Sequence, residues 1–270
     1  MADSPPVITF LSDYGLVDDF VGICHGVIAR LCPHARVIDI THGVGPQDVR
    51  RGAIILKQAL PYLPAGIHLA VVDPDVGAER RAVALRLADG RILVGPDNGL
   101  LSLAAEQSGG VVEAVDIAHS QFRLEPVAAT FHGRDIFAPV AAVLAGGTPF
   151  ADAGEPCDPS ELVALALPRP KLDDGELVAH ALYIDRFGNV GLDVYHYHLA
   201  DIGLRLGQPV TIADGSGELK ATYARTFADV NRGDLLVYED AYKRLSVAVS
   251  HGSAAERLGV NVDDELRLLT

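Results

Sequence analysis

Tryptophan is absent from the 270 residues, methionine occurs once and cysteine three times. Cys24, Cys32 and Cys157 are too few for a disulfide framework and lack a zinc-ribbon spacing. They predict a reducing, cytoplasmic setting. No apolar run reaches the roughly 18 residues of a membrane span. The opening "MADSPPVITFLSD" has no basic region ahead of an apolar stretch, so no secretory leader is expected. Basic residues are scarce as well: 22 Lys and Arg stand against 36 Asp and Glu, a net charge of −14. A nucleic-acid surface needs clustered Lys and Arg to neutralise phosphates, and no such cluster occurs. The ligand expected is a small molecule, and a cationic one meets no long-range repulsion. Neither the dinucleotide fingerprint G-x-G-x-x-G nor the phosphate loop G-x-x-x-x-G-K-[ST] is present. Metal-ligand spacings are missing too, apart from "YHYH" (195–198), which reads as a strand with both His on one side. No metal site is predicted.

What the chain does have is apolar content, 49%, enough for a full core. "VITFL" (7–11), "RVIDIT" (36–41) and "GIHLAVV" (66–72) read as strands, and "RAVALRL" and "RILVG" as a hairpin around "ADG". Helical patterns cover 19–31, 47–63, 98–107 and 133–147, with Phe20, Ile23, Val27 and Leu31 on one face of the first. "VVEAVDI" (111–117) reads as extended. Alternating strands and helices predict an α/β domain over 1–168 with a mostly parallel sheet. "PRPKLDDGE" (168–176) reads as a linker. Short alternating runs from 175 to 270 predict a small β-barrel domain, with one helix at 253–259.

Ligands of α/β sheets sit at the carboxyl ends of the strands. Asp13, Thr41, Asp73, Asp97 and Asn98 all follow apparent strands and could share one crevice. A strand-end Asp such as Asp13 can accept from both hydroxyls of a ribose, or serve only its loop. Asp97 or Asn98 can cap the next helix. "TFHGRDIFAP" places His132 and Gly133 before a helix, where backbone N–H groups are free, and Arg134 and Asp135 can be a simple ion pair. "YIDRFGNVGLDV" offers an aromatic face and an amide, or a tight turn at Gly188–Asn189. "VVDPDVGAERR" sets a carboxylate, Asp73, ahead of two guanidiniums, Arg80 and Arg81.

Taken in order, "ITFLSDYGLVDDFVG", "ITHGVGPQDVRRGA", "VVDPDVGAERR", "VGPDNGLLS", "TFHGRDIFAP" and "YIDRFGNV" resemble the S-adenosylmethionine (SAM) hydroxide adenosyltransferases, SAM hydrolases related to fluorinase and chlorinase. The resemblance implies hydrolysis of SAM to adenosine and L-methionine by attack of water at ribose C5′, without metal or other cofactor. It implies Asp73, Arg80 and His132 around the attacking water, Arg80 rather than Arg81 holding the family spacing. It further implies Asp13 on the ribose, Asp18 and Asp185 on the methionine ammonium, Phe187 and Asn189 on adenine, and Gly133 in the site. A homotrimer is implied, each ligand lying between one subunit's N-terminal domain and a neighbour's barrel. Halogenating relatives carry Tyr at the Asp73 position and Tyr–Ser at His132–Gly133, so water is the expected nucleophile. Asp75 stands where the family has Gly, a position that suggests a left-handed backbone. Asp240 and Ala241 replace an Asn-Ser pair. Two alternatives stand beside hydrolysis: a SAM-dependent halogenase on the same scaffold and, because of those departures, a non-catalytic SAM or adenosine sensor.

Overall fold

The computed structural model describes residues 5–200, 202–214 and 217–269. The chain divides after Leu165 into two compact units.

In the first unit β1 (Val7–Ser12), β2 (Arg36–Thr41), β3 (Ile67–Val71), β4 (Ala82–Leu87), β5 (Ile92–Pro96), β6 (Val111–Asp116) and β7 (Glu155–Pro156) form one sheet, ordered β2-β1-β3-β5-β4-β6-β7. Ile8, Phe10 and Leu11 of β1 are fully buried, because helices cover both faces of the sheet. Helices α1 (Phe20–Leu31) and α4 (Ala138–Ala145) pack with Ile8 and Phe10 on one face. Residues of α2 (Val49–Ala59) and α3 (Ser102–Gln107) pack with Leu11 and Val72 on the other. The sheet is mixed: β2, β1, β3 and β5 run parallel, and β4, β6 and β7 join antiparallel. The turn at Gly90 (φ 87°) is too short for a crossover, so β4 and β5 pair as the expected hairpin. The parallel strands end at Ser12, Thr41, Val71 and Pro96, along one edge of the sheet.

Several local expectations shift. The buried face of α1 is Val21, Cys24, Val27 and Ile28. Phe20 instead meets Phe131 edge-on and Tyr14 at a tilt, at centroid distances of 5.2 and 5.7 Å. The 98–107 segment is helical only from Ser102, since Gly99 at φ 94° breaks its start. The 133–147 helix opens with a π-helical turn, Gly133–Phe137. Left-handed backbone after β3 falls on Gly77 (φ 85°), where a Cβ would come within 2.6 Å of the Ala129 carbonyl; Asp75 is not a positive-φ residue.

The second unit contains β8 (Lys171–Asp173), β9 (Glu176–Ile184), β10 (Val190–Tyr195), β11 (Pro209–Asp214), β12 (Gly217–Tyr223), β13 (Leu235–Glu239), β14 (Arg244–Val249), α5 (Ala254–Leu258) and β15 (Glu265–Leu269). Seven strands close a barrel in the order β10-β14-β13-β12-β11-β15-β9, with β9 pairing back to β10. The eighth, β8, lies in the segment read as a linker. Asp174 (φ 47°) and Gly175 (φ 83°) turn it onto β9, the Asp-Gly hairpin geometry. Of "YHYH" only Tyr195, the last residue of β10, is in a strand: His196–Ala200 form a 3-10 turn, and Tyr195 stacks on Tyr197 at 5.5 Å.

Candidate active site

Asp73 lies two residues beyond β3, and Asn98 braces the strand there by donating its side-chain amide to the Val72 carbonyl at 2.9 Å. The turn through Gly77 carries the chain back to Arg80, just before β4. Arg80 Nε donates to Asp73 Oδ1 at 2.9 Å and Oδ2 at 3.1 Å, and Nη2 also donates to Oδ2. Both side chains are nearly buried, 8% and 5% exposed, so the pair is shielded from solvent screening. Nη2 reaches His132 Nδ1 at 2.9 Å as well, and the guanidinium lies 5.2 Å from the Phe137 ring centroid. One cation therefore links the carboxylate to the imidazole.

His132 caps the π-helical turn Gly133–Phe137, a local irregularity often found at functional positions. Burial, and then the charge of Arg80, lowers its pKa below the ordinary imidazole value. A neutral ring accepting at Nδ1 from Arg80 must carry its proton on Nε2. The adjoining Arg134 and Asp135 form an ion pair at 2.6 Å, and Asp135 also accepts from the Ala128 N–H at 2.8 Å.

Arg81 has a different task. Its Nε donates to Asp97 at 2.9 Å, and its other nitrogens to the carboxylate and carbonyl of Glu161. Asp97 also accepts from the Val163 N–H at 2.8 Å. Neither Asp97 nor Asn98 is the helix cap; α3 starts after Leu101.

Asp13 follows β1, and its Oδ2 accepts from the Gln47 N–H at 2.9 Å. Thr41 accepts from the Gly43 N–H, a turn contact. Asp18 is exposed ahead of α1, where Asp19 occupies the cap position without a side-chain cap bond. Tyr14 is a residue that sequence reasoning passed over. Its hydroxyl lies 2.1 Å from where a Cβ on Gly133 would stand, so Gly133 is the only residue type that leaves this contact unchanged. Burial, then neighbouring Cys24, Asp13 and Asp73, raise the Tyr14 phenol well above its usual pKa.

In the barrel, the β9–β10 turn is built by Asp185. It accepts from the Phe187 N–H at 2.8 Å, the Asn189 N–H at 3.0 Å and the Asn189 side-chain amide at 2.8 Å. Gly188 (φ 81°) supplies the left-handed position. Phe187 is left 71% exposed, with Arg186 stacked 5.7 Å from its ring, while Asn189 is buried. Asp240 is similarly a turn builder. It accepts from Tyr242 and Arg244 N–H groups at 2.8 and 3.0 Å and from the Tyr183 hydroxyl at 3.1 Å.

Residues 8–154 match the SAM hydroxide adenosyltransferase N-terminal domain, and residues 179–267 match its C-terminal domain. The chain belongs to the SAM hydroxide adenosyltransferase family. It is 51% identical, over 97% of both chains, to the (R)-S-adenosyl-L-methionine hydrolase of Salinispora tropica. It is 28% identical to the more distant fluorinase of an Actinoplanes species, over 92% of each. A Thermotoga maritima crystal structure of an uncharacterised conserved protein superimposes with a TM-score of 0.91 at 35% identity, covering 97% of this chain and 100% of that one. Asp13, Asp18, Asp73, Arg80, His132 and Gly133 fall within the first matched domain of the SAM hydroxide adenosyltransferase family, and Asp185, Phe187 and Asn189 within the second.

Proposed function

We propose that this protein hydrolyses SAM, water attacking ribose C5′ to give adenosine and L-methionine. The observation that carries the reading is the Asp73–Arg80–His132 chain, which gathers a cation, a carboxylate and a neutral imidazole on one edge of the sheet. In the reaction, the water oxygen bonds to C5′ as the C5′–S bond breaks. The electron pair returns to sulfur, and the sulfonium departs as a neutral thioether, so the leaving group needs neither an acid nor a metal. One water proton must find an acceptor. His132 Nδ1 is occupied by Arg80, whereas Asp73 Oδ1 accepts a single Arg80 hydrogen bond and retains acceptor capacity. Asp73 is therefore the proton acceptor, Arg80 stabilises the developing hydroxide, and His132 fixes Arg80. Holding the water in line behind C5′ supplies much of the remaining acceleration.

The substrate contacts follow the same logic. Gln47 occupies one oxygen of Asp13, leaving the other for ribose hydroxyls. Asp18 and Asp185 take the methionine ammonium, Phe187 stacks on adenine, Asn189 bonds its edge, and Gly133 leaves room beside Tyr14. We assign a homotrimer with ligands at subunit interfaces. Its support is that Leu16, Val17 and Phe187, beside these contacts in the two units, are 79%, 99% and 71% exposed. Light scattering would read this mass. Free cysteines suit a cytoplasmic setting, and no helix among the described residues is long and apolar enough to cross a membrane.

The test is incubation with SAM in heavy-oxygen water, with and without chloride. Label in the adenosine 5′-hydroxyl, unchanged by halide, is expected; a halogenated nucleoside, or no adenosine, would overturn the reading. Asp73→Asn should lower kcat by about 10²–10⁴-fold, whereas a SAM or adenosine sensor would show no turnover to lose. Protonating His132 would set a second cation against Arg80 and remove its acceptor. Because its pKa is depressed, kcat/KM should hold as pH falls through the ordinary imidazole range near about 6.5 and decline only below it.

A further inference from the structure

At the end of β2, away from the Asp73–Arg80–His132 chain in sequence, three potential ligands converge. Asp39 Oδ1 lies 2.9 Å from His25 Nε2 and 3.1 Å from His42 Nε2. The donor atoms of all three residues fall within 4.8 Å of one another. We propose that His25, Asp39 and His42 form a site for a divalent transition metal of the zinc class. The inference is independent of the hydrolytic reading.

His42 carries the argument. Its side chain is only 2% exposed, and its Nε2 is buried with no hydrogen-bond partner among the described residues, Asp39 lying close but outside hydrogen-bond geometry. The other ring nitrogen, Nδ1, sits 2.7 Å from the Ser12 hydroxyl. With Nδ1–H donating to Ser12, the Nε2 lone pair faces the Asp39 carboxylate, two acceptors in contact. A cation between them removes that repulsion. Histidine ligands of metals habitually donate their second ring N–H to such an outer partner, which fixes ring and tautomer. The Phe10 ring, edge-on at 4.6 Å, further fixes the imidazole.

The spacing is close to that of a bound ion. Tetrahedral bonds of about 2.0–2.1 Å place ligand atoms roughly 3.3 Å apart, so the two Asp39–His separations need to open by only a few tenths of an ångström, and the His25 and His42 donor atoms stand within 4.8 Å of each other. Two His and one carboxylate leave a fourth position for water. The His25 and Asp39 side chains, 36% and 40% exposed, provide the entry path. A bound ion would tie α1 to the end of β2. It would also stiffen the loop carrying Asp13, because the Gly15 N–H donates to the His42 carbonyl at 2.7 Å.

The experiment strips the protein with a chelator, then titrates zinc in competition with a chromophoric chelator and records the absorption of the cobalt-substituted form. One ion per chain and a tetrahedral or five-coordinate cobalt spectrum are expected. His25→Ala alters a half-exposed helix residue and should fold, which circular dichroism verifies; it should weaken zinc at least about tenfold. Asp39→Asn should weaken zinc likewise, and each variant should lose the zinc-dependent rise in Tm. The exposed His34→Ala should leave zinc affinity unchanged. Wild-type binding no tighter than that of His25→Ala, or a spectrum of hexa-aqua cobalt, would overturn the site.

Discussion

Gly133 and Tyr14 limit each other. A Cβ at 133 would fall 2.1 Å from the phenolic oxygen, but 3.1 Å from the ring carbon that bears it. Gly133→Ala should therefore displace Tyr14, lower kcat/KM and cost about 1–3 kcal/mol through overpacking. Removing the hydroxyl relieves the clash, so Gly133→Ala combined with Tyr14→Phe should recover most of the lost stability; an additive double variant in urea unfolding would refute the coupling. His68 makes a second prediction at this scale. It is fully buried in β3, bonded through Nδ1 to the Thr9 hydroxyl at 2.9 Å, and burial lowers its pKa to about 4. The unfolded chain binds this proton near about 6.5 and the folded chain does not, so the stability is complete above that pH and drains away toward pH 4. The loss is about 3 kcal/mol, two to three pKa steps. Denaturant titrations at neutral pH and near pH 4 should show a smaller difference in His68→Gln than in the wild type; equal differences would reject this source.

The two glycine environments of α1 and α2 separate propensity from packing. Gly22 in α1 has nothing within 4 Å of an added Cβ, whereas Gly52 in α2 would meet Leu100 Cδ1 at 2.8 Å and Val72 Cγ2 at 3.1 Å. Gly22→Ala should gain about 0.5–1 kcal/mol. Gly52→Ala gains the same propensity but must push two core side chains, with a cost of about 1–3 kcal/mol, and should come out destabilised. Opposite shifts in Tm would check both, and shifts of one sign would refute the packing argument. Elements were legible in the sequence where burial covered both faces, as in "VITFL", or where a turn demanded its residue, as at Gly90. They were misread where a neighbour decided: α1 rotates because Phe20 goes to Phe131 and Tyr14, and β8 hides in a charged stretch because its pairing with β9 outweighs composition. The site behaved alike. That Asp73 goes with Arg80 rather than Arg81 came from the family resemblance, one short turn joining the two, while the turn holding Phe187 was legible in its own residues as an alternative to an aromatic face. Tyr14 against Gly133, and His25 against Asp39 and His42, join distant segments and left no local pattern.

Across the whole molecule, a charge of −14 sets a negative potential around a site proposed to take a cation. SAM carries a sulfonium, an ammonium and a carboxylate, a net single positive charge. Fields of this kind concentrate a ligand of opposite sign and speed its arrival, and salt removes the effect. The Debye length contracts from about 30 Å at about 0.01 M to about 3 Å at about 1 M salt. Long-range attraction should vanish over that range, while the nearly buried Asp73–Arg80 pair, protected from solvent, should keep its geometry. KM for SAM should accordingly rise several-fold with ionic strength while kcat stays level. Running the series in acetate as well as chloride separates screening from any halide chemistry. A flat KM would mean that local contacts alone capture the substrate; a parallel fall in kcat would mean that salt reaches the proposed reacting groups, contrary to their burial.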